Sequence, residues 1–503
     1  MQGRNMLSDL AATAQRLEQT LQRWIAEGWV QPFSDTAWLK AAFASDDLTL
    51  QSVVTAGGSL EVAYLAPQID VTLLNSDVGA PLIASSRSDP RRDLPNASFV
   101  TQRSDVLSAL LQGKAAVFKP GAPDAALVDV RVDRSRSVTQ PTTEASLLGP
   151  KVAFNEDLTT SLNLVRNLLA TPALRVRQHT IGTLSRTRVA TVWIDGVTAP
   201  ELVDEVLDRL SKVATDTLLS SEDLAQLAFH RSWTPFPTAQ RTERPDRVAR
   251  ALGLGRIAII VDGSPFAILL PVTLGAITKY LEALFGPPVT VIFVRWLRFV
   301  GGFLSMVAPA AYVAVLSVNP SLLPADTLVA VAQTRAGVPY PVLFETIGLL
   351  LILDMVIEAS QQAPSPIGQT VTVVGGLIIG QAAVQAHLGS QLIVIVSAVT
   401  GIGTLLIPDI SLAYAVRITK YPIMILAGIL GFYGLTLCLI AIAIHLVAQE
   451  SLDAPYATPF GPVRSWSLKS YTLMSRTRGE RALRPGVYRP VTLRRQPKGG
   501  MKD

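Results

Sequence analysis

Apolar and polar positions along this chain change period as it proceeds. From residue 8 to 44, Leu10, Leu17, Leu21, Trp24 and Ile25 recur at helical spacing until Gly28 interrupts them, which predicts helix. Around Leu60, Val62, Tyr64 and Leu65, before Pro67, the pattern shifts to strand-like alternation. Beyond residue 288 the periodicity gives way to long apolar runs, Phe299–Val318, Val371–Leu388, Gln391–Pro408 and Ile423–Val447. Each is long enough, or nearly so, to cross a hydrocarbon core of about 30 Å at about 1.5 Å per residue. Pro341–Ala359 differs, because it carries Glu345, Asp354 and Glu358. At mid-bilayer each acid costs roughly 2.5 to 3.5 kcal/mol if it faces lipid, so this segment is expected to be interfacial, re-entrant or a vestibule helix with its acids in water.

Sliding the chain against itself exposes an internal repeat. Gly113-Lys114-Ala115-Ala116-Val117-Phe118, followed by Gly121 and Pro123, aligns with Gly255-Arg256-Ile257-Ala258-Ile259-Ile260, followed by Gly263 and Pro265, at an offset of 142. Each copy follows an amphipathic helical stretch, Asp105–Leu111 or Asp246–Leu252, and precedes another apolar run. Val62–Leu65 echoes Val189–Trp193 more weakly. The repeat also decides how to read Ile257–Thr278, which hydropathy alone would allow as a membrane span, and in particular Ile257–Leu270 within it. Its partner copy contains Lys119 and Asp124 and could not span, so a buried strand pair is expected.

The expected fold class is an α/β cytoplasmic N-terminal half of two similar subdomains, then an α-helical polytopic membrane domain and a basic C-terminal tail. The expected boundaries are a helical segment over 1–44, subdomains over 45–135 and 150–288 joined by a linker over 136–149, a transmembrane domain over 289–450 and a tail over 451–503. The formal charge of +5 comes mostly from that tail, where eleven basic residues from Arg464 to Lys502 face only Glu480 and Asp503. Because the tail follows a membrane block, anionic lipid is the expected contact and nucleic acid is not. The N-terminus has no apolar core of signal-peptide length, so the first half is expected to stay in the cytoplasm. With both termini inside, the spans must be even in number. Four are expected, with Arg417 and Lys420 in the loop before the last one. Cys438 is the sole cysteine, which rules out an intrachain disulfide and a thiolate cluster.

Candidate chemistry concentrates in Ile367–Leu388. At about 100° per residue, Val374, Ile378, Gln381 and Gln385 share one helical face, and Gly376, Gly380 and Ala383 share the opposite one. Small residues admit a close neighbour and amides favour a wet path, so the first set is a candidate pore and gate and the second a packing face. The alternative is a helix packed on all sides with its glutamines bonded to neighbours. Glu345, Asp354 and Glu358 would attract cations if several subunits ringed a pore; otherwise they pair with Arg335 or Arg417. Thr242, Glu243, Arg244, Pro245 and Asp246 close a proline-stiffened stretch that is either a connector or a subunit contact. There, Thr242 is expected to cap the helix opened by Pro245 and Glu243 to pair with Arg247. His179, His230, His387 and His445 are scattered, and neither a Walker-type glycine loop nor a nucleophile elbow is present. No enzyme activity, metal or cofactor is expected.

Several of these segments together resemble one family. Arg136–Glu144 with its Thr-Gln-Pro-Thr-Thr-Glu run, Phe154-Asn-Glu-Asp, Pro235-Phe-Pro-Thr leading to Thr242-Glu-Arg-Pro-Asp246, Val261-Asp-Gly-Ser-Pro265 and Pro366-Ile-Gly-Gln through Ile379-Gly-Gln-Ala-Ala383 are similar to the GerA-type spore germination proteins, the A subunits of nutrient germinant receptors. The likeness runs from about residue 100 to about 450. It implies a spore inner-membrane protein acting with a transporter-like B subunit, which binds nutrient, and a lipoprotein C subunit. It further implies that A subunits oligomerise into a ligand-gated channel for monovalent cations. A secondary transporter and a non-conducting signalling scaffold are the alternatives.

Overall fold

The two copies of the glycine-containing unit build two five-stranded antiparallel sheets of one topology. The structure is a computed structural model that describes residues 36–132, 140–141, 144, 149–230, 233–278, 288–362, 380–458 and 460–461. The first sheet comprises β1 (Leu48–Thr55), β2 (Gly58–Leu65), β3 (Ser98–Val100), β4 (Lys114–Phe118) and β5 (Ala125–Asp129), in the spatial order β1-β2-β4-β5-β3. The second comprises β6 (Leu174–Ile181), β7 (Thr187–Ile194), β8 (Gln240–Thr242), β9 (Ile257–Val261) and β10 (Ala267–Leu270), in the order β6-β7-β9-β10-β8. Position by position the two orders are the same. Along the chain, α1 (Ala37–Phe43) precedes the first sheet, and α2 (Arg103–Leu111) leads into β4. Helices α3 (Leu158–Leu168), α4 (Pro200–Ser211), α5 (Ser221–Phe229) and α6 (Pro245–Gly253) belong to the second copy, with α6 leading into β9.

Backbone geometry accounts for the repeat signature. Gly113 and Gly255, which turn each helix into its central strand, have φ of 84° and 91°, and Gly121 and Gly263 in the following hairpins have φ of 79° and 82°. These left-handed conformations favour glycine. At Gly113 a Cβ would also lie 2.9 Å from the Gln68 carbonyl oxygen. The central strands β4, β5, β9 and β10 are buried on both faces, so they read as continuous apolar runs without alternation. In the first sheet, Ala116, Phe118 and Leu127 pack with α1 and α2, while Ala115, Val117 and Val128 pack with Leu74, Val78 and Leu82 on the other side. The expected strand pair within Ile257–Leu270 is present, with Leu270 opposite Ile257 and Ala267 opposite Ile260.

A buried ion pair joins the two sheet systems. Arg166 on α3 is fully buried and reaches both carboxylate oxygens of Asp47 at 2.8 Å. Beside it, the Val176 N–H donates to Ser45 Oγ at 2.8 Å and the Asp46 N–H donates to the Val176 carbonyl at 2.9 Å.

The chain divides into two compact units. The first takes its described residues from 36–229 and 239–271, and the second from 230–238 and 272–461. The second is helical: α7 (Pro288–Ser317), α8 (Ala325–Thr334), α9 (Val342–Gln362), α10 (Gln391–Leu405) and α11 (Ile410–Ala448). Among the described residues, Val289–Ser317 and Ile410–Ala448 are long and apolar enough to cross a membrane, and Gln391–Leu405 is apolar but shorter. Residues 371–379 of the expected span Val371–Leu388 lie outside the described residues, as do most of the 136–149 linker, the tail beyond 461 and residues 1–35.

The last expected span needs correcting. Arg417 and Lys420 are not in a loop before it but inside α11, which runs 39 residues and breaks at Gly431. Both charges are buried and ion-paired, so the helix accommodates them without ending.

Candidate functional site

The polar residues of the helical unit converge along α9. Asp354 and Glu358 lie one turn apart, as i and i+4 spacing dictates, and face a ladder of polar groups on α11. Lys420, 1% exposed, places Nζ 2.8 Å from Asp354 Oδ2, and Tyr421 donates its hydroxyl to the same oxygen at 2.6 Å. Arg417 places Nη1 3.3 Å from Glu358, which also accepts from the Tyr414 hydroxyl at 3.1 Å. The Arg417 guanidinium sits over the Tyr414 ring, 5.0 Å from its centroid. Two acids thus meet two bases, and each carboxylate also receives a phenol. A buried ion tolerates its lost hydration only when it is paired and hydrogen-bonded in this way.

The third acid is settled at a helix terminus. The Glu345 side chain is fully buried, accepts from the Ser390 N–H at 2.7 Å and lies 3.1 Å from Arg335 Nη2. Ser390 is the N-cap of α10, its Oγ accepting from Ile393 N–H and lying 3.1 Å from the Tyr312 hydroxyl. The carboxylate therefore faces the positive end of the α10 dipole. Glu345 does not face water, contrary to the expectation for this helix; Asp354 and Glu358 are each engaged by α11. Of the two sequence alternatives for these acids, pairing with basic side chains is the arrangement present in the single chain.

Close helix approach is written in small residues. A Cβ on Gly403 would collide with the Gly301 carbonyl oxygen and lie 3.0 Å from Ser305 Cβ, so α7 and α10 cross almost backbone to backbone. Gly431 breaks α11 with φ 63°, and Asn319, just past the end of α7, accepts from the Phe432 N–H at 3.1 Å. Asn319 thereby satisfies one of the donors the break releases.

Of the candidate pore segment Ile367–Leu388, residues 380–388 are described, helical over 380–385, and Val374, Gly376 and Ile378 lie outside the described residues. Ala383 is buried, and a Cβ on Gly380 would touch Val394 of α10 at 3.2 Å. Gln381 and Gln385 are exposed on the opposite side.

The Thr242–Asp246 stretch forms a different arrangement from the one expected. Thr242, Glu243 and Arg244 are buried, and Thr242 and Glu243, with Arg247, hold Glu144. Thr242 Oγ1 donates to Glu144 at 2.8 Å, Arg247 donates to it at 2.9 Å, and the Glu144 N–H donates to Glu243 at 2.6 Å. Arg247 therefore pairs with Glu144 in place of Glu243. Thr242 does not cap the helix: the N-cap of α6 is Arg244, whose N–H Thr242 accepts at 3.2 Å and whose side chain pairs with Asp246 at 2.8 Å. Pro245 opens α6 at its first position.

Sequence reasoning missed Tyr414, Tyr421 and Asn319, and treated Arg417 and Lys420 as loop charges. The available signal was two bases three residues apart in an apolar run, matched by two acids four apart in another. One histidine also has a setting the sequence did not reveal. His179 lines a cavity of about 580 Å³ with Thr183, Ser211 and Asp216, and burial, assisted by Arg177, lowers its imidazole pKa below the ordinary value.

Comparison with known proteins bears on what these features belong to. Residues 37–484 match the family model described as Bacillus/Clostridium GerA spore germination protein. The chain is 36% identical to spore germination protein GerLA of Bacillus cereus over 71% of this chain and 73% of that protein. It is 34% identical to spore germination protein A1 of Bacillus subtilis (strain 168) over 74% of this chain and 77% of that protein. Among solved structures, the N-terminal domain of the A subunit of the Bacillus megaterium spore germinant receptor GerK3 matches at 27% identity and a TM-score of 0.36, covering 48% of this chain and 96% of that one. The family match over most of the length establishes that this chain belongs to the GerA family of spore germination proteins.

Proposed function

We propose that this chain is the A subunit of a nutrient germinant receptor, and that copies of it assemble through the helical unit into a nutrient-gated channel for monovalent cations. The observation that carries the reading is the helix end at 380–385, whose small face is packed and whose glutamines are exposed. In a ring of copies such a helix would present amides to a water path, and Val374 and Ile378, earlier in the chain, would close it by dewetting. The paired acids of α9 would keep the surrounding bundle neutral, with Glu358, the most exposed of the three, nearest to attracting a cation. In this reading a transporter-like B subunit binds the nutrient, a lipoprotein C subunit completes the complex, and the assembly sits in the spore inner membrane with both termini of this chain in the cytoplasm.

Single-channel recording of the reconstituted receptor tests it. Nutrient is expected to open a cation conductance, and Val374→Ala or Ile378→Ala to produce current without nutrient. Silent receptors, or leakage from Gly380 substitutions while Val374 and Ile378 variants stay closed, would reverse the assignment. A second reading, a secondary transporter, draws on the interruption of α11 at Gly431, since broken helices build transporter substrate sites. It would show saturable, stoichiometric uptake in place of conductance.

A further inference from the structure

We propose that the segment carrying Trp233 is a membrane-interface anchor whose partner is the headgroup layer of a phospholipid bilayer. The proposal rests on the membrane-spanning reading of α7 and α11. Trp233 is 96% exposed, far more than any other large hydrophobic residue of the segment, and it sits in a polar and proline-rich run with Thr234, Pro235, Phe236 and Pro237. That run belongs to the helical unit although the residues on both sides of it belong to the first unit.

The geometry fixes where along α11 the run lies. Thr234 Oγ1 lies 2.9 Å from His445 Nε2 and donates to Gln449 at 3.1 Å, so residue 234 is tied to the final turn of the helix and the residue after it. Phe236 turns the other way and is buried, packing with Leu412, Ala415 and Tyr456. One aromatic is therefore the plug that holds the run in place, and the other is presented outward. The residues of α11 on either side of His445 are apolar and exposed, with Ile440 at 60%, Ile444 at 64% and Val447 at 55%. A helix that exposes such residues up to its last turn, then meets the buried polar Gln449, marks the boundary of an apolar medium.

A second set of rings reaches the same level independently. A Cβ on Gly461 would lie 2.9 Å from Val447, which puts the neighbouring Phe460 beside that last turn. Phe460 stacks on Phe299 of α7 at 5.7 Å, and Phe299 meets the edge of Trp296 at 5.9 Å. Trp296 is 46% exposed, with Arg295 and Arg298 on either side in sequence. Tryptophans concentrated at one level, with arginines close by, match the preference of the indole ring and of long cationic side chains for the headgroup region. Lipid is favoured over a protein partner because the neighbouring exposed surface continues into the outer face of an apolar helix.

Site-directed spin labelling of the full chain in phospholipid vesicles tests this, using a Cys438→Ala background with Trp233→Cys or Ile440→Cys. Depth is read from the ratio of oxygen to nickel-complex accessibility. The label at 440 should report hydrocarbon, and the label at 233 a value between that and free label in buffer. The native ring gives a second reading: the emission lost in Trp233→Phe relative to the unmutated chain should be quenched by brominated lipids and little by aqueous iodide. If 440 reports lipid while 233 behaves as free label does, the anchor is overturned and the spanning reading stands. Spin-spin broadening at 233 that disappears on dilution with unlabelled chain would mean that the ring packs on a second copy, which also overturns it. A label at 440 that reports water overturns the spanning reading and the anchor with it.

Discussion

Lys420 is 1% exposed inside a largely apolar helix, and Asp354 is the reason it can be there. Removing one member of such a pair leaves the other ion buried and unsatisfied, a loss of roughly 3 to 5 kcal/mol. Replacing both with apolar residues of similar volume removes the desolvation cost together with the attraction. Lys420→Met and Asp354→Leu are each expected to lower the apparent Tm of the detergent-purified chain sharply, and the double variant to recover most of the loss. Losses that simply add would show that the two side chains are not coupled, and the pairing would then not be what holds α9 to α11. At this scale the sequence was half legible. It singled out Asp354 and Glu358 as anomalous in an apolar segment and named Arg417 as one alternative partner. It did not identify Lys420 as a partner, because hydropathy treats a charge as a boundary and carries no information about a compensating group more than sixty residues away.

At the scale of elements, Gly431 sets the course of α11. Its φ of 63° ends one helical segment and starts the next, and Asn319 Oδ1 lies where a side chain would have to go. Gly431→Ala therefore meets two obstacles, a left-handed backbone and a collision with the group that receives the Phe432 N–H. A reduced yield of folded chain and a lower Tm are expected, with partial recovery when Asn319→Ala clears the space; full wild-type stability of Gly431→Ala alone would show that the break is not required. The apolar run Ile423–Val447 gave no hint of which residue interrupts it, since glycines such as Gly428, Gly431 and Gly434 in a membrane helix more often serve packing. Glycine was informative in the sheets because it recurred: Gly113 and Gly255, Gly121 and Gly263 stand at one offset with matching φ. Repetition turned four ambiguous glycines into two turns, and with them the succession of helix, strand, turn and strand in each copy; the spatial order of the strands was not legible. The clamp on Glu144 had no such support, because its partners lie about a hundred residues away in sequence.

For the molecule as a whole, the two repeated sheets raise the question of whether they behave as one body or two. Each has its own apolar core, one around Phe154, Val192 and Ile260 and the other split over the two faces of the first sheet. What ties them is chiefly polar: Arg166 on Asp47, the Ser45 contacts with Val176, and Arg175 donating to the Ala42 carbonyl at 3.1 Å. The Arg166 guanidinium and the Asp47 carboxylate are both fully buried, so truncating the arginine strands the acid and weakens the joint without opening either core. Hydrogen exchange in the full chain distinguishes the outcomes. In Arg166→Leu, protection is expected to fall together over α1, the start of β1 and β6, where the joining bonds lie, while β4, β5, β9 and β10 keep their slow exchange. Loss of protection throughout both sheets would mean that the repeats fold as one cooperative unit with Arg166 at its centre. Unchanged protection at β1 and β6 would mean that the hydrogen bonds of Ser45, Asp46 and Arg175 across the joint suffice, and that the buried ion pair contributes specificity of docking without adding to its strength.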